Sequence, residues 1–162
     1  MSIQIEQSPL PSRHSVRSLI EDLVGRDVKF RDAPPLPIRD SNLLAAYVTD
    51  RMTVAAVAVV DLEAAARMGA ALGMLPKGGV DDMIAEGGLT QLVRDNCYEV
   101  LNVMASVFNV PDAPHVRLHE FYGPGGSAPA DVLSLSQVMG SRDDVAMSIA
   151  GYGDGRMSII TR

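Results

Sequence analysis

Hydrophobic positions along the chain switch between a helical and a strand period. From His14, Val16, Leu19, Ile20, Leu23 and Val24 fall at i, i+3, i+4, i+7 and i+8, the apolar face of an amphipathic helix that Gly25 would end. Residues 32–40 carry Pro34, Pro35 and Pro37, which predicts a loop or an edge segment. Residues 43–48 and 53–60 are β-prone runs joined by Thr49-Asp50-Arg51, a hairpin pattern. The second run is apolar almost throughout and predicts a central strand covered on both faces. Asp61 can cap the helix that follows, residues 62–74, stopped by Pro76-Lys77-Gly78-Gly79. A short helix over 80–86 leads to Gly87-Gly88, and a long one spans about 89–108, ended before Pro111.

The remainder is read as strand. Residues 115–121 alternate and 131–138 are a candidate strand. Residues 145–150 and 156–161 flank the glycine-rich turn Gly151-Tyr152-Gly153-Asp154-Gly155. No strand–helix–strand unit recurs at fixed spacing. The order predicts an α+β fold, a largely antiparallel sheet with two or three helices packed on it. Residues 1–12, with two prolines and no period, are expected to form a flexible N-terminal arm, and 13–162 a single domain.

Composition narrows the function classes. Twenty acidic against 14 basic residues give a net charge of −6, and no basic stripe offsets it, so nucleic-acid binding is not expected. The longest uncharged apolar run, residues 52–60, is too short to cross a bilayer, and the start lacks the basic-then-apolar pattern of a secretory signal. A lone cysteine, Cys97, forms no internal disulfide and suits a reducing cytoplasm, the expected location.

Candidate chemistry sits on the long helix. At about 100° per residue, Asp95, Glu99, Asn102 and Ser106 share one stripe, opposite Val93, Cys97, Val100, Leu101, Met104 and Phe108. An amphipathic helix always turns polar groups to water, so a stripe alone proves little. Here neither acid has a Lys or Arg at i+4, and a mid-helix amide costs helix propensity relative to Gln or Glu. His115 and His119 share the i, i+4 spacing of helical metal pairs, but on a strand they lie about 13 Å apart, so no metal site is expected. Gly123-Pro124-Gly125-Gly126 lacks the lysine and Ser/Thr of a nucleotide-binding loop.

Asp95-x3-Glu99-x2-Asn102, with Pro124 after 21 intervening residues, resembles the active-helix signature of the chemotaxis phosphatases CheC, CheX and FliY. Residues 55–60, then Asp61-Leu62-Glu63-Ala64-Ala65-Ala66-Arg67-Met68 and Gly73-Met74-Leu75, resemble that family's strand, helix and Met-rich helix end. The similarity covers roughly residues 40–162. The first helix has no Glu-x-x-Asn, which matches the CheX-like subgroup with one active helix per chain. The family's glycine a few residues after the Asn is replaced by Ala105-Ser106-Val107.

The resemblance implies a CheC-like fold and hydrolysis of the aspartyl phosphate of a CheY-type response regulator. Asn102 would orient the attacking water, Glu99 would engage a basic group of the partner, and Asp95 and Ser106 would flank the contact. It implies no cofactor of the chain's own, Mg²⁺ on the partner regulator, and a homodimer. The alternative from another class is a non-catalytic interaction module of the CheC/FliM type in chemotaxis or two-component signalling. A third possibility is an unrelated α+β domain with a coincidental stripe.

Overall fold

A computed structural model describes residues 7–162. Its element order is α1 (Arg13–Val24), β1 (Val28–Asp32), β2 (Leu43–Thr49), β3 (Val54–Val60), α2 (Leu62–Leu72), α3 (Lys77–Ala85), α4 (Gln91–Val103), a 3₁₀ turn (Met104–Val107), β4 (Val116–Tyr122), α5 (Ala130–Ser136), β5 (Arg142–Ile149) and β6 (Gly153–Thr161). The six strands form one sheet in the order β1-β5-β6-β3-β2-β4, and every neighbouring pair is antiparallel. The architecture is α+β, as the patterning predicts.

β2 and β3 are buried at every position because the sheet is covered on both sides. On one face, Ala45, Tyr47, Ala58 and Val60 lie under α1, α2 and α4; on the other, Ala46, Val57 and Val59 pack against Val132 and Leu135 of α5 and against Leu36. Small side chains at the first set let the helices approach the strands closely. Two glycines and a carboxylate cap fix helix ends and contacts. Gly25 ends α1 in the left-handed conformation, its amide donating to the Glu21 carbonyl. The Asp61 carboxylate caps α2, accepting from the Ala64 amide at 2.8 Å. Gly69 of α2 meets α4 where a Cβ would overlap the Val93 carbonyl oxygen.

Several predicted elements are corrected. The candidate strand over 131–138 is the helix α5: Val132, Leu135 and Ser136 are its buried positions, at i, i+3 and i+4. Arg142 closes its far end by donating to the Ser136 and Val138 carbonyls. Among the described residues there are five helices, and α1, α2 and α4 are the ones that cover one face of the sheet, in keeping with the two or three expected to pack on it. β1 escaped the patterning because only Val28 of its five residues is buried, as befits an edge strand. Lys77, Gly78 and Gly79 do not stop a helix but open α3. Gly153 and Gly155 lie in β6, not in the turn, and Gly155 packs against Ala64 of α2.

β4 holds the strand expected over 115–121, with one irregularity. The register slips between Ala46 and Tyr47 of β2, leaving His119 as an extra residue. That slip turns Phe121, rather than Glu120, onto the face shared by Val116 and Leu118. The expected arm lies partly outside the described residues. Of residues 7–12, Ser8 is buried and Leu10 packs against the helix-side core. Among the described residues no helix is long and apolar enough to cross a membrane.

Candidate functional site

The long helix expected over 89–108 is α4 followed by a tighter 3₁₀ turn, so the rod runs from Gln91 to Val107 with a change of pitch at Met104. Thr90 opens it, its hydroxyl accepting from the Val93 amide at 3.3 Å. Val93, Cys97, Val100 and Leu101, then Met104 and Phe108, are buried as expected. Burial pushes the Cys97 thiol up to about 12, which keeps it neutral and unreactive.

All four predicted stripe residues, Asp95, Glu99, Asn102 and Ser106, are exposed. Asp95, Glu99 and Asn102 are on α4; Ser106 is on the 3₁₀ turn. Glu99 and Asn102, three residues apart on the helix, have Cβ atoms about 5–6 Å apart. Their side chains make no hydrogen bond or ion pair with any described residue. Asp95 differs: the Gln91 amide donates to its carboxylate at 2.6 Å, a pair along the helix surface. The carboxylate and the carboxamide that remain uncommitted are therefore adjacent and face solvent.

The back of the rod is fixed by residues that the sequence did not single out. The buried Tyr47 hydroxyl donates to the Leu101 carbonyl at 2.6 Å, and its ring packs against Phe108 with centroids 4.9 Å apart. Asn96 donates to the Gly69 carbonyl at 3.0 Å and ties α4 to α2. Arg94 donates to the Phe121 and Gly123 carbonyls at 2.8 and 3.0 Å and lies over the Phe121 ring. Arg94 thereby moors the loop holding Pro124 to α4, one residue ahead of Asp95. Gly123 is needed there, since a Cβ would come within 2.5 Å of the Asn42 carbonyl oxygen. The only sequence signal for these roles was polarity off the exposed stripe, at Arg94 and Asn96, and a lone aromatic within the aliphatic β2.

Together the elements present one acid and one amide, both exposed, on a helix fixed from behind.

No family model matches this sequence, and no curated protein does. Solved structures match its shape. The chain is similar to FliM in the FliM–SpeE complex from H. pylori, with TM-score 0.57, 11% identity, and coverage of 91% of this chain and 80% of that one. It is similar to a chain of the CheX–CheY–BeF₃–Mg complex from Borrelia burgdorferi, with TM-score 0.56, 13% identity, and coverage of 91% and 93%. CheX from Vibrio vulnificus aligns with TM-score 0.51 and 16% identity over 92% of each chain. The chain thus has the CheC/CheX-type fold that the FliM middle domains share.

Proposed function

We propose that this protein hydrolyses the aspartyl phosphate of a receiver-type response regulator. The observation that carries the proposal is the pairing of Glu99 and Asn102, side by side, exposed and free of internal partners, on a helix held from behind. An acyl phosphate is already activated; what hydrolysis lacks is a water aligned with the P–O bond. The Asn102 carboxamide donates to or accepts from that water and orients it without titrating. Water attacks phosphorus, the acyl P–O bond breaks, and the regulator's aspartate leaves as carboxylate beside inorganic phosphate. Glu99 forms a charge-assisted pair with a basic group of the regulator, a contact of about 1–3 kcal/mol that sets the alignment. Asp95, with Gln91, and Ser106 border the contact. Mg²⁺ on the regulator balances the phosphoryl charge, and the chain supplies no cofactor.

Support comes from the shared fold with CheX, including a complex of CheX with CheY, BeF₃ and magnesium. The same fold in FliM supports the alternative, a non-catalytic interaction module. In the proposed reaction the protein works in the cytoplasm as a homodimer. Phosphate release from regulators charged with a small phosphodonor separates the two functions. Wild type should accelerate release and Asn102→Ala should lose about 10²-fold or more of that acceleration. A wild type that binds a regulator without changing its dephosphorylation rate establishes the module instead.

A further inference from the structure

The exposed stripe of α4 does not begin with an acid. Leu92 lies two turns before Glu99, only about 20° round the helix, and is 57% exposed. Met74, just after the end of α2, has φ of 54°, a backbone region unfavourable for a residue with a side chain, and is 83% exposed. The neighbouring Gly73 abuts the Asn96 amide, so this corner is packed against α4. Leu92 lines a groove of about 430 Å³ together with Leu75, Pro76, Val80 and Met83. Through Leu92 this groove adjoins the α4 stripe that carries Asp95 and Glu99.

Acidic residues lie on either side of this groove. An adjoining cavity shares Gly79, Met83 and Thr90 with it and carries Asp82 and Glu86. Asp95 and Glu99 continue the stripe beyond Leu92 at its other end. The nearby cations are engaged: Lys77 with Asp81 at 2.7 Å, Arg94 with the Phe121 and Gly123 carbonyls, Arg67 with the Tyr152 and Asp154 carbonyls.

We propose that this groove is the docking socket for the regulator, receiving an apolar side chain that the regulator flanks with Lys or Arg. This rests on the proposed function and assigns its recognition to a surface separate from Asn102. Charge complementarity selects the occupant. A second copy of the chain docked here about a two-fold axis would bring two sets of these four acids into one interface, and an anionic lipid surface would meet the same repulsion. A buried apolar anchor within a charged rim is also how protein contacts concentrate their energy.

The test uses the full chain and a panel of receiver-domain regulators activated with beryllofluoride, read by calorimetric binding, and the same regulators phosphorylated for steady-state turnover. Leu92→Asp and Leu92→Ala alter an exposed groove position, and Val138→Asp, at an exposed apolar site beyond α5, is the control. Each groove variant should raise KM and Kd roughly tenfold or more with kcat nearly unchanged. The control should behave as wild type, and added salt should weaken wild-type binding. Groove variants that bind as tightly as wild type overturn the socket and leave the phosphatase proposal standing. A wild type that neither binds nor dephosphorylates any regulator overturns both. A wild-type dimer dissolved by Leu92→Asp in sedimentation overturns the socket by assigning the face to a second copy.

Discussion

The Tyr47 hydroxyl donates to the Leu101 carbonyl at 2.6 Å, so a central strand of the sheet holds the helix residue directly ahead of Asn102. The carbonyl lies where α4 tightens into its 3₁₀ turn, a region in which helix carbonyls lose their regular partners. Tyr47 is fully buried, and that burial pushes its phenol well above the ordinary value, so it stays a donor. Tyr47→Phe keeps the ring against Phe108 and removes the donor. Loss of about 1–3 kcal/mol is expected from urea unfolding, the cost of a buried carbonyl left unpaired. An unchanged unfolding midpoint would mean that another donor reaches Leu101.

The contact between α2 and α4 depends on Gly69. Its missing Cβ leaves room for the Val93 carbonyl, and the Gly69 carbonyl in turn accepts from Asn96. Gly69→Ala puts a methyl group against backbone on both sides of a rigid contact. Helix propensity favours Ala by about 1 kcal/mol, but the overlap should dominate and destabilise the fold by about 1–3 kcal/mol. Gly78→Ala, at a helical glycine with open space around it, provides the opposite sign. It should stabilise slightly, and a thermal melt of the two variants checks both directions.

What the sequence revealed and what it hid follow one physical line. The stripe of α4 was legible because a helix half in water must segregate its faces, and Cys97, Leu101, Glu99 and Asn102 all lie where a period of 3.6 places them. β3 was legible because burial on both faces forces every position to be apolar. α5 was misread because a seven-residue helix gives too few turns to distinguish its period from alternation. β1 was missed because three of its five residues are exposed and charged, and Val28 and Phe30 alone are too few to set a period. Tyr47, Arg94 and Asn96 stayed hidden for another reason: their partners are backbone carbonyls 27 to 54 residues away, and a carbonyl leaves no mark on sequence.

Arg94 offers a test of the loop that carries Pro124. Its guanidinium binds two carbonyls and lies 4.9 Å from the centre of the Phe121 ring. Arg94→Lys keeps the charge but loses the planar fork that reaches both carbonyls. Amide hydrogen exchange should quicken by about tenfold at residues 122–126 while the core strands β3 and β6 are unaffected. Exchange that quickens equally across β3 would instead make Arg94 a determinant of global stability.

Asp61 gives the fold a pH dependence opposite to that of most carboxylates. One oxygen of its side chain accepts from both the Ala64 and Arg156 amides, at 2.8 and 3.0 Å, yet burial outweighs these bonds and raises its pKa above the ordinary 3.8. In the folded state the group holds its proton at pH values where the unfolded chain has released it. Its contribution to stability is thus complete below pH 3.8 and is lost as pH rises through the folded value. Asp61→Asn retains an oxygen that can accept both amides and does not titrate. The stability of wild type minus that of Asp61→Asn should fall as pH rises from 3.8 and then level off, in urea titrations from pH 3 to 7. Using the difference cancels the remaining carboxylates, including Asp81 and Asp154, whose pKa values are lowered by Lys77 and by Ser148 with Arg31. A difference that rises with pH would show that the amides outweigh burial at this cap, and Asp61 would then be an ordinary helix-capping carboxylate.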